Sequence, residues 1–422
     1  MLVARERDLN RSPHREIAGN ECVERKPLRV CMVSYSFYEL DNRVMRYAEA
    51  LVQRGDRVEV LALRHNNFAK QETLNGVHVH RLQDRELNEK GLSSFLGRIL
   101  SFLSRAMIEV SRNHLREKYD LIHVHSVPDF MVFAAWLPRL LGTPVILDIH
   151  DILPEFYSSK FGAKKDSAVF RTLQFLEKIS ATFSSHVIVA NHIWQQRLLS
   201  RSIKRGKCTV LINTPDRAIF KRSEMPKKNS GKFVLLYPGT LNWHQGVDLA
   251  IRAFARISQL VPHADFRIYG EGRTKAELLA LVKELNLENR ITVRGSIPLR
   301  DVALLMEQSD LGVVPKRKDG FGNEAFSTKI MEFMAMGVPV IVPDTDVDRY
   351  YFDDSIVRFF RGGDEEDLSN AMLDMISDPA RRKTQAQNAT AFIEQNDWDS
   401  RKKQYFELVD SLLPKRTTAA TS

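Results

Sequence analysis

The sequence predicts an α/β protein of two doubly wound domains that face each other across a cleft, with a helix closing the chain. Apolar strand-like runs alternate with helical periodicity from about residue 28, stop in a polar, basic stretch, and restart at 233. The strand runs are continuously apolar, as expected when helices cover both faces of a parallel sheet. A chain of 422 residues also exceeds one ordinary core.

LRVCMVSYS reads as the first strand. NRVMRYAEALVQRG follows as a helix, with Val44, Tyr47, Ala48 and Leu51 on one face and Gly55 at its end. DRVEVLAL completes a strand–helix–strand unit, which the connection rules make parallel and right-handed. DLIHVHS, PVILDIH, HVIVAN and CTVLIN supply the other strands of a domain placed at 27–218. Segment 219–232 is turn-forming and charged without periodicity, and reads as a linker. A second domain at 233–400 alternates the strands FVLLYPG, ADFRIYG, ITVRGSI, LGVVP and VPVIVP with helical segments. A closing helix at 401–413 carries Tyr405, Leu408 and Leu412 on one face, and 414–422 is a polar tail. Open α/β sheets bind ligands at the carboxyl ends of their strands, so the cleft is the expected site.

Hydrophobic content of 43% and charged content of 27% are those of a soluble globular protein. Cys22, Cys31 and Cys208 form neither a disulfide framework nor a metal pattern, which points to a reducing, cytoplasmic compartment. Residues 1–26 carry Arg5, Arg7, Arg11 and Arg15 without an apolar signal core, and read as a disordered basic arm. No stretch approaches the roughly 18 apolar residues of a membrane span. A net charge of +9 implies anionic partners: nucleic acid, anionic lipid or phosphate-bearing substrates. Nucleic acid ranks last, because no aromatic-plus-basic motif accompanies the charge. In 92–118, Phe95, Leu96, Ile99, Leu103 and Met107 recur at helical spacing among Arg98, Arg105, Arg112 and Arg116. This is either a core-facing helix or a helix lying on anionic lipid.

The chemistry concentrates in LGVVPKRKDGFGNEAFSTKIMEFMAMGVPVIVP. A strand, a Gly-containing loop and a helix starting near Ser327 or Thr328 place Glu324 before the helix and Glu332 a turn inside it. Free N–H groups at a helix start suit a diphosphate, and Lys329 would add a cation. By themselves the two glutamates also fit a solvated capping pair.

Glu324, seven residues, Glu332 and then G-x-P-V-I resemble the donor signature of retaining glycosyltransferases, specifically glycosyltransferase family 4 of the GT-B fold, two facing Rossmann-like domains. YPGTLNWHQGVDLAIRAF, IYGEGRTKAELLALV and IPLRDVALLMEQSDLGVVP resemble further family motifs in family order, and the likeness spans roughly 28–400. It implies metal-independent, cofactor-free sugar transfer, with retention, from a nucleoside-diphosphate sugar. The implied acceptor is a glycan or polyprenyl-diphosphate-linked glycan in bacterial surface polysaccharide synthesis, at the cytoplasm or the inner membrane face. Glu332 would bind the ribose, while Glu324, with the backbone of Ala325 and Phe326 and with Ser327 beside them, would hold the transferred sugar. Gly239 and Thr240, and Gly270 with Glu271, would form the donor turns.

The family's usual Arg and Lys are here Thr240 and Gln245, with His244 adjacent. That leaves His244, Lys316, Arg317, Lys329 or backbone N–H groups to hold the diphosphate. His150 resembles the family's histidine near the donor sugar. Asp41, Arg43, His125, Asp151 and Glu155 are acceptor-side candidates, Arg43 as a phosphate contact, whereas Asp148 reads as structural. A nucleotide-sugar 2-epimerase and a non-catalytic nucleotide-sugar binder are the rival readings.

Overall fold

The computed structural model describes residues 26–65, 68–85, 92–161, 167–222 and 231–414. The expected basic arm up to residue 25, Cys22, most of the linker and the tail beyond Pro414 lie outside these residues. Cys31 and Cys208 are free thiols.

The first sheet has eight strands in the order β3-β4-β2-β1-β5-β6-β7-β8. They are β1 (Arg29–Phe37), β2 (Arg57–Arg64), β3 (Gln71–Leu74), β4 (Val77–Asp84), β5 (Leu121–His125), β6 (Val145–Ile149), β7 (His186–Val189) and β8 (Cys208–Val210). β1 pairs in parallel with β2 on one side and β5 on the other. The second sheet runs β11-β10-β9-β12-β13-β14. Its members are β9 (Phe233–Pro238), β10 (Ala264–Tyr269), β11 (Ile291–Arg294), β12 (Leu311–Val313), β13 (Val340–Pro343) and β14 (Arg358–Phe360). In each sheet the winding reverses beside the first strand of the domain, and the carboxyl ends there open into the interdomain cleft.

The first sheet is not wholly parallel. β3 pairs antiparallel with β4 through Asn75 and Gly76, both at positive φ (49° and 82°). The Asn-Gly pair in TLNGVHV is the hairpin signal that reading for apolar runs passes over, because β3 is half exposed.

The helices used below are α1 (Asn42–Gln53), α2 (Leu92–Arg116), α3 (His192–Arg201), α4 (Thr328–Ala335), α5 (Glu365–Ser377), α6 (Pro379–Asn396) and α7 (Trp398–Leu412). Asp41 caps α1 by accepting the Val44 N–H at 3.2 Å, and Val44, Tyr47, Ala48 and Leu51 bury the predicted face. In α2 the core stripe is Ile99, Phe102, Ala106, Val110 and His114, whereas Leu96, Leu100, Ile108 and Leu115 are exposed. Leu96 therefore does not share the buried face with Ile99; the Phe95 side chain lies outside the description. No described helix is long and apolar enough to cross a membrane.

α5 and α6 follow β14, and α7 then returns to the first domain. Asp397 caps α7 by accepting the Ser400 N–H at 2.8 Å. The Tyr405 hydroxyl lies 3.0 Å from His123 Nδ1, and its ring centroid 4.5 Å from that of Tyr47 on α1. Trp398 meets Tyr47 edge-on, and Arg54 pairs with Asp410 at 3.1 Å. Between the domains, Phe321 sits 5.3 Å from Phe156 and 5.9 Å from Trp194, ring to ring, which makes the apolar core continuous across the interface. Tyr405→Ala should cost about 3–5 kcal/mol, as for other buried aromatics. Tyr405→Phe should cost only about 1 kcal/mol. Urea unfolding midpoints check both.

Candidate active site

The second domain's wall begins where β9 ends. A Cβ on Gly270 would fall 1.8 Å from the Gly239 carbonyl oxygen, so these two turns touch backbone to backbone and only glycine fits. α4 starts beside them. Ser327 holds the N-cap position in extended conformation, but its side chain caps nothing, and its buried hydroxyl has no partner among the described residues. Lys329 lies along the Gly239 turn: a Cβ there would be 3.1 Å from both its Cδ and its Nζ. Lys329 Nζ is also 3.3 Å from Gln245 Oε1 and 5.5 Å from the centre of the Tyr237 ring. Burial lowers the Lys329 pKa to about 8. One turn further, Glu332 lines the cleft, its pKa raised by burial against the opposing charges of Lys329 and Arg46. An uncapped helix start with an ammonium beside it is an anion site.

The other cations proposed to compensate are occupied. Lys316 is buried, with Nζ 2.6 Å from the Ala325 carbonyl and 3.0 Å from Asp348. Arg317 pairs with Asp248 and stacks 4.6 Å from Trp243, and Lys318 pairs with Asp344 at 3.3 Å. Lys316 thus braces the loop instead of facing the cleft. The Ala325 N–H donates to Phe321 O at 2.8 Å, so it is not available for a sugar hydroxyl as expected. The Phe326 ring packs against Tyr351 and Phe352. The Glu324 carboxylate pairs with Arg197 of α3, and its carbonyl accepts from Asn191 Nδ2 at 3.0 Å. Of the remaining donor-side residues, Thr240 is exposed and its carbonyl accepts the Tyr237 hydroxyl at 2.8 Å. The His244 carbonyl accepts the Arg317 N–H, and Glu271 pairs with Lys275 at 2.6 Å.

The first domain's wall is organised by Asp148, fully buried at the end of β6. Arg43 grips it twice, Nε to Oδ2 at 2.8 Å and Nη2 to Oδ1 at 2.7 Å, and reaches Leu211 O and Asn213 Oδ1 through Nη1. Oδ2 also lies 3.1 Å from His125 Nδ1 and 3.0 Å from His150 Nε2. Burial raises the Asp148 pKa, but the charges of Arg43 and His150 outweigh it and hold the carboxyl well below its ordinary value. Burial lowers the pKa of His125 despite Asp148, whereas at His150 the same carboxylate overcomes burial and raises it.

Several acceptor-side expectations change here. Arg43 lines the cleft but directs four of its five N–H groups into its own domain, which leaves little of it for a phosphate. His125 is buried, stacked 4.1 Å from His123, and stands behind His150 instead of facing an acceptor. Glu155 is buried between Arg201 (2.6 Å) and Arg197 (3.3 Å). Asp151 is partly buried, and burial raises its pKa. Asp41 and His150 do line the cleft, a space of about 440 Å³ bounded on the far side by Thr328 and Glu332. His123, His125 and Asp148 bring three potential metal-ligand atoms within 4.8 Å. The guanidinium clamped on Asp148 already supplies the positive charge there and would repel a metal ion.

Arg46, Asn191 and Arg197 went unnoticed in the sequence. Arg46 follows Arg43 by one helical turn and bonds Asn213 Oδ1 at 3.2 Å, a signal the helix periodicity contained. Asn191 and Arg197 gain meaning only through contacts across the interface.

Asp148→Asn would leave Arg43 buried without its charge partner and should destabilise by about 3–5 kcal/mol. The His150 pKa, raised in the wild type, should fall. The stability it contributes, present below about pH 6.5 and lost as pH rises through the higher folded value, should vanish. Imidazole NMR titration and unfolding at pH 5 and 8 measure both.

The Glycosyl transferases group 1 family matches residues 219–392, and the Glycosyl transferase 4-like domain matches 40–214. α-D-Kanosaminyltransferase of Streptomyces kanamyceticus is 22% identical over 338 residues, 74% of this chain and 83% of that protein. Sucrose-phosphate synthase from Thermosynechococcus elongatus superposes with a TM-score of 0.75 at 19% identity, covering 91% of this chain and 99% of that one. Anabaena HepE in complex with UDP and glucose does so with a TM-score of 0.71 at 19% identity, covering 91% and 100%. At these identities the structural likenesses speak for the fold. With the two matched segments lying side by side over most of its length, the chain belongs to the group 1 glycosyltransferases of family 4 and has the GT-B fold.

Proposed function

We propose that this glycosyltransferase moves a hexosyl or N-acetylhexosaminyl unit, with retention of configuration, from a nucleoside-diphosphate sugar to a glycan or polyprenyl-diphosphate-linked glycan. Its place is cell-surface polysaccharide synthesis at the cytoplasmic face of the membrane. The observation that carries this reading is the uncapped start of α4 with Lys329 laid against Gly239 and Glu332 one turn on. In the proposed complex the diphosphate meets the helix start and Lys329, Glu332 takes the ribose hydroxyls, and Glu324 takes hydroxyls of the transferred sugar. His150, across the cleft and positively biased by Asp148, faces that sugar. Charge leaving with the diphosphate is stabilised by Lys329 and the helix dipole, so the reaction proceeds without a metal or other cofactor. HepE, solved with UDP and glucose, supplies the analogy for the donor.

A panel of nucleotide sugars screened by thermal shift identifies the donor. With it, Glu324→Gln should lose about 10²–10³-fold in kcat/KM while keeping nucleoside-diphosphate binding, and EDTA should leave the wild type active. Retained turnover in Glu324→Gln refutes its role. Because the Lys329 pKa is about 8, diphosphate affinity should fall as pH rises through that value. In Lys329→Gln the inflection should be absent.

For the membrane surface, the support is the exposed stripe of α2, where Leu96, Leu100 and Ile108 stand beside exposed Arg98, Arg105 and Arg112. Leu100→Glu with Ile108→Glu should abolish flotation with vesicles rich in phosphatidylglycerol. Unchanged flotation removes this partner.

A further inference from the structure

We propose that Arg197 on α3 of the first domain is a positioning residue for Glu324 of the second. Recognition of the transferred sugar is then completed only where the two domains meet. The inference rests on the donor-site role proposed for Glu324 and deepens it.

α3 grips Glu324 at two points. Asn191 starts the helix, its Oδ1 accepting the Trp194 N–H at 2.8 Å, while its Nδ2 donates to the Glu324 carbonyl at 3.0 Å. Two turns along, Arg197 Nη2 bonds Glu324 Oε1. One element therefore fixes both the main chain and the carboxylate of a residue more than 120 positions away. The surroundings hold this geometry. The Tyr351 hydroxyl lies 3.0 Å from the His192 N–H nitrogen and 2.8 Å from His192 Nδ1, and Phe321 is wedged between Phe156 and Trp194.

Behind Arg197 the charges alternate. Its Nη1 is 3.3 Å from Glu155 Oε1; Arg201 holds the two Glu155 oxygens at 2.6 and 2.9 Å; and Arg201 reaches Glu177 at 2.9 and 2.5 Å. Three carboxylates share two guanidiniums, and all three are buried. The fork of a guanidinium holds a buried carboxylate in one orientation, and without it the side chain is free to turn away. Glu324 stands on the cleft side of this ladder, and Arg197 fixes the direction of its carboxylate. Lys329, Glu332 and the Gly239 turn belong wholly to the second domain and do not touch this ladder. Nucleoside-diphosphate binding is thus independent of Arg197, while sugar recognition is not.

The test uses full-length protein, with the donor identified by the panel and its nucleoside diphosphate alone as probes. Arg197→Met should bind the nucleoside diphosphate within about twofold of wild type. Its kcat/KM for transfer should fall about 10²-fold. Arg197→Lys, which keeps the charge but not the fork, should recover about tenfold. Adding Arg197→Met to Glu324→Gln should cost nothing more, because the two act through one carboxylate. Near-wild-type transfer in Arg197→Met beside an impaired Glu324→Gln overturns the inference and leaves the donor site standing. Full activity in Glu324→Gln overturns the donor reading itself. Should Arg197→Met not fold, Arg197→Lys decides: weakened transfer with intact nucleoside-diphosphate binding supports the role, and unchanged transfer overturns it.

Discussion

The buried pair of Asp148 and Arg43 is the constraint on which the first domain depends. Both side chains are at most 5% exposed. Taking two ions out of water costs several kcal/mol each, and only a geometry that meets nearly every donor and lone pair recovers it. The bidentate contact does so, and its consequences spread. Arg43 ties the start of α1 to the end of β6, and its remaining donors fix Leu211 and Asn213 beyond β8. Three chain segments thereby converge on one ion pair at the carboxyl edge of the sheet. His150 shares that carboxylate, so the residue facing the cleft is aimed by the same contact that holds the sheet edge together.

α7 extends this arrangement to the other end of the chain. Tyr405 meets His123, which stacks on His125, which bonds Asp148. The closing helix follows the second domain in sequence yet packs on the first, so the chain passes between the domains twice, once between β8 and β9 and once through α6 and α7. Any displacement of one domain against the other must deform both crossings, which favours the register in which α3 meets the loop carrying Glu324.

How much of this was legible depended on whether the signal was local. β1, α1 and the strand–loop–helix of β12 and α4 announce themselves by apolar runs, caps and periodicity within a dozen residues. The β3–β4 hairpin was legible from Asn75-Gly76 but weak in apolar content. Asp148 could be read as structural from its strand end, yet nothing local says that Arg43 is its partner 105 residues earlier. Arg43 reads as a phosphate contact because an arginine at a helix start beside a cleft looks free in sequence; the fold turns most of its donors inward. Lys316 misleads in the same way, since Asp348, which neutralises it, lies in another segment, and the Ala325 carbonyl of its own loop accepts a further hydrogen bond. Charged residues near a site can be found by pattern, but whether their charge remains available is a tertiary property.

The substitution of the family's Arg and Lys by Thr240 and Gln245 is best understood in those terms. A diphosphate needs positive potential within a few ångströms of its oxygens, and the Coulomb energy is indifferent to which chain position supplies it. Lys329 approaches Gln245 to 3.3 Å from the opposite side of the same turn, so its ammonium stands next to the position the usual lysine side chain would leave from. Lysine at 245 would put a second ammonium beside the first in a partly desolvated pocket, where like charges lower each other's pKa. Gln245 Oε1 instead lies 3.3 Å from Lys329 Nζ, from which it accepts, and 3.2 Å from the Tyr237 hydroxyl. In the proposed function the glutamine is then the complement of Lys329, not a lost cation. The Lys329 pKa of about 8 follows from the burial of its ammonium at the enclosed start of α4.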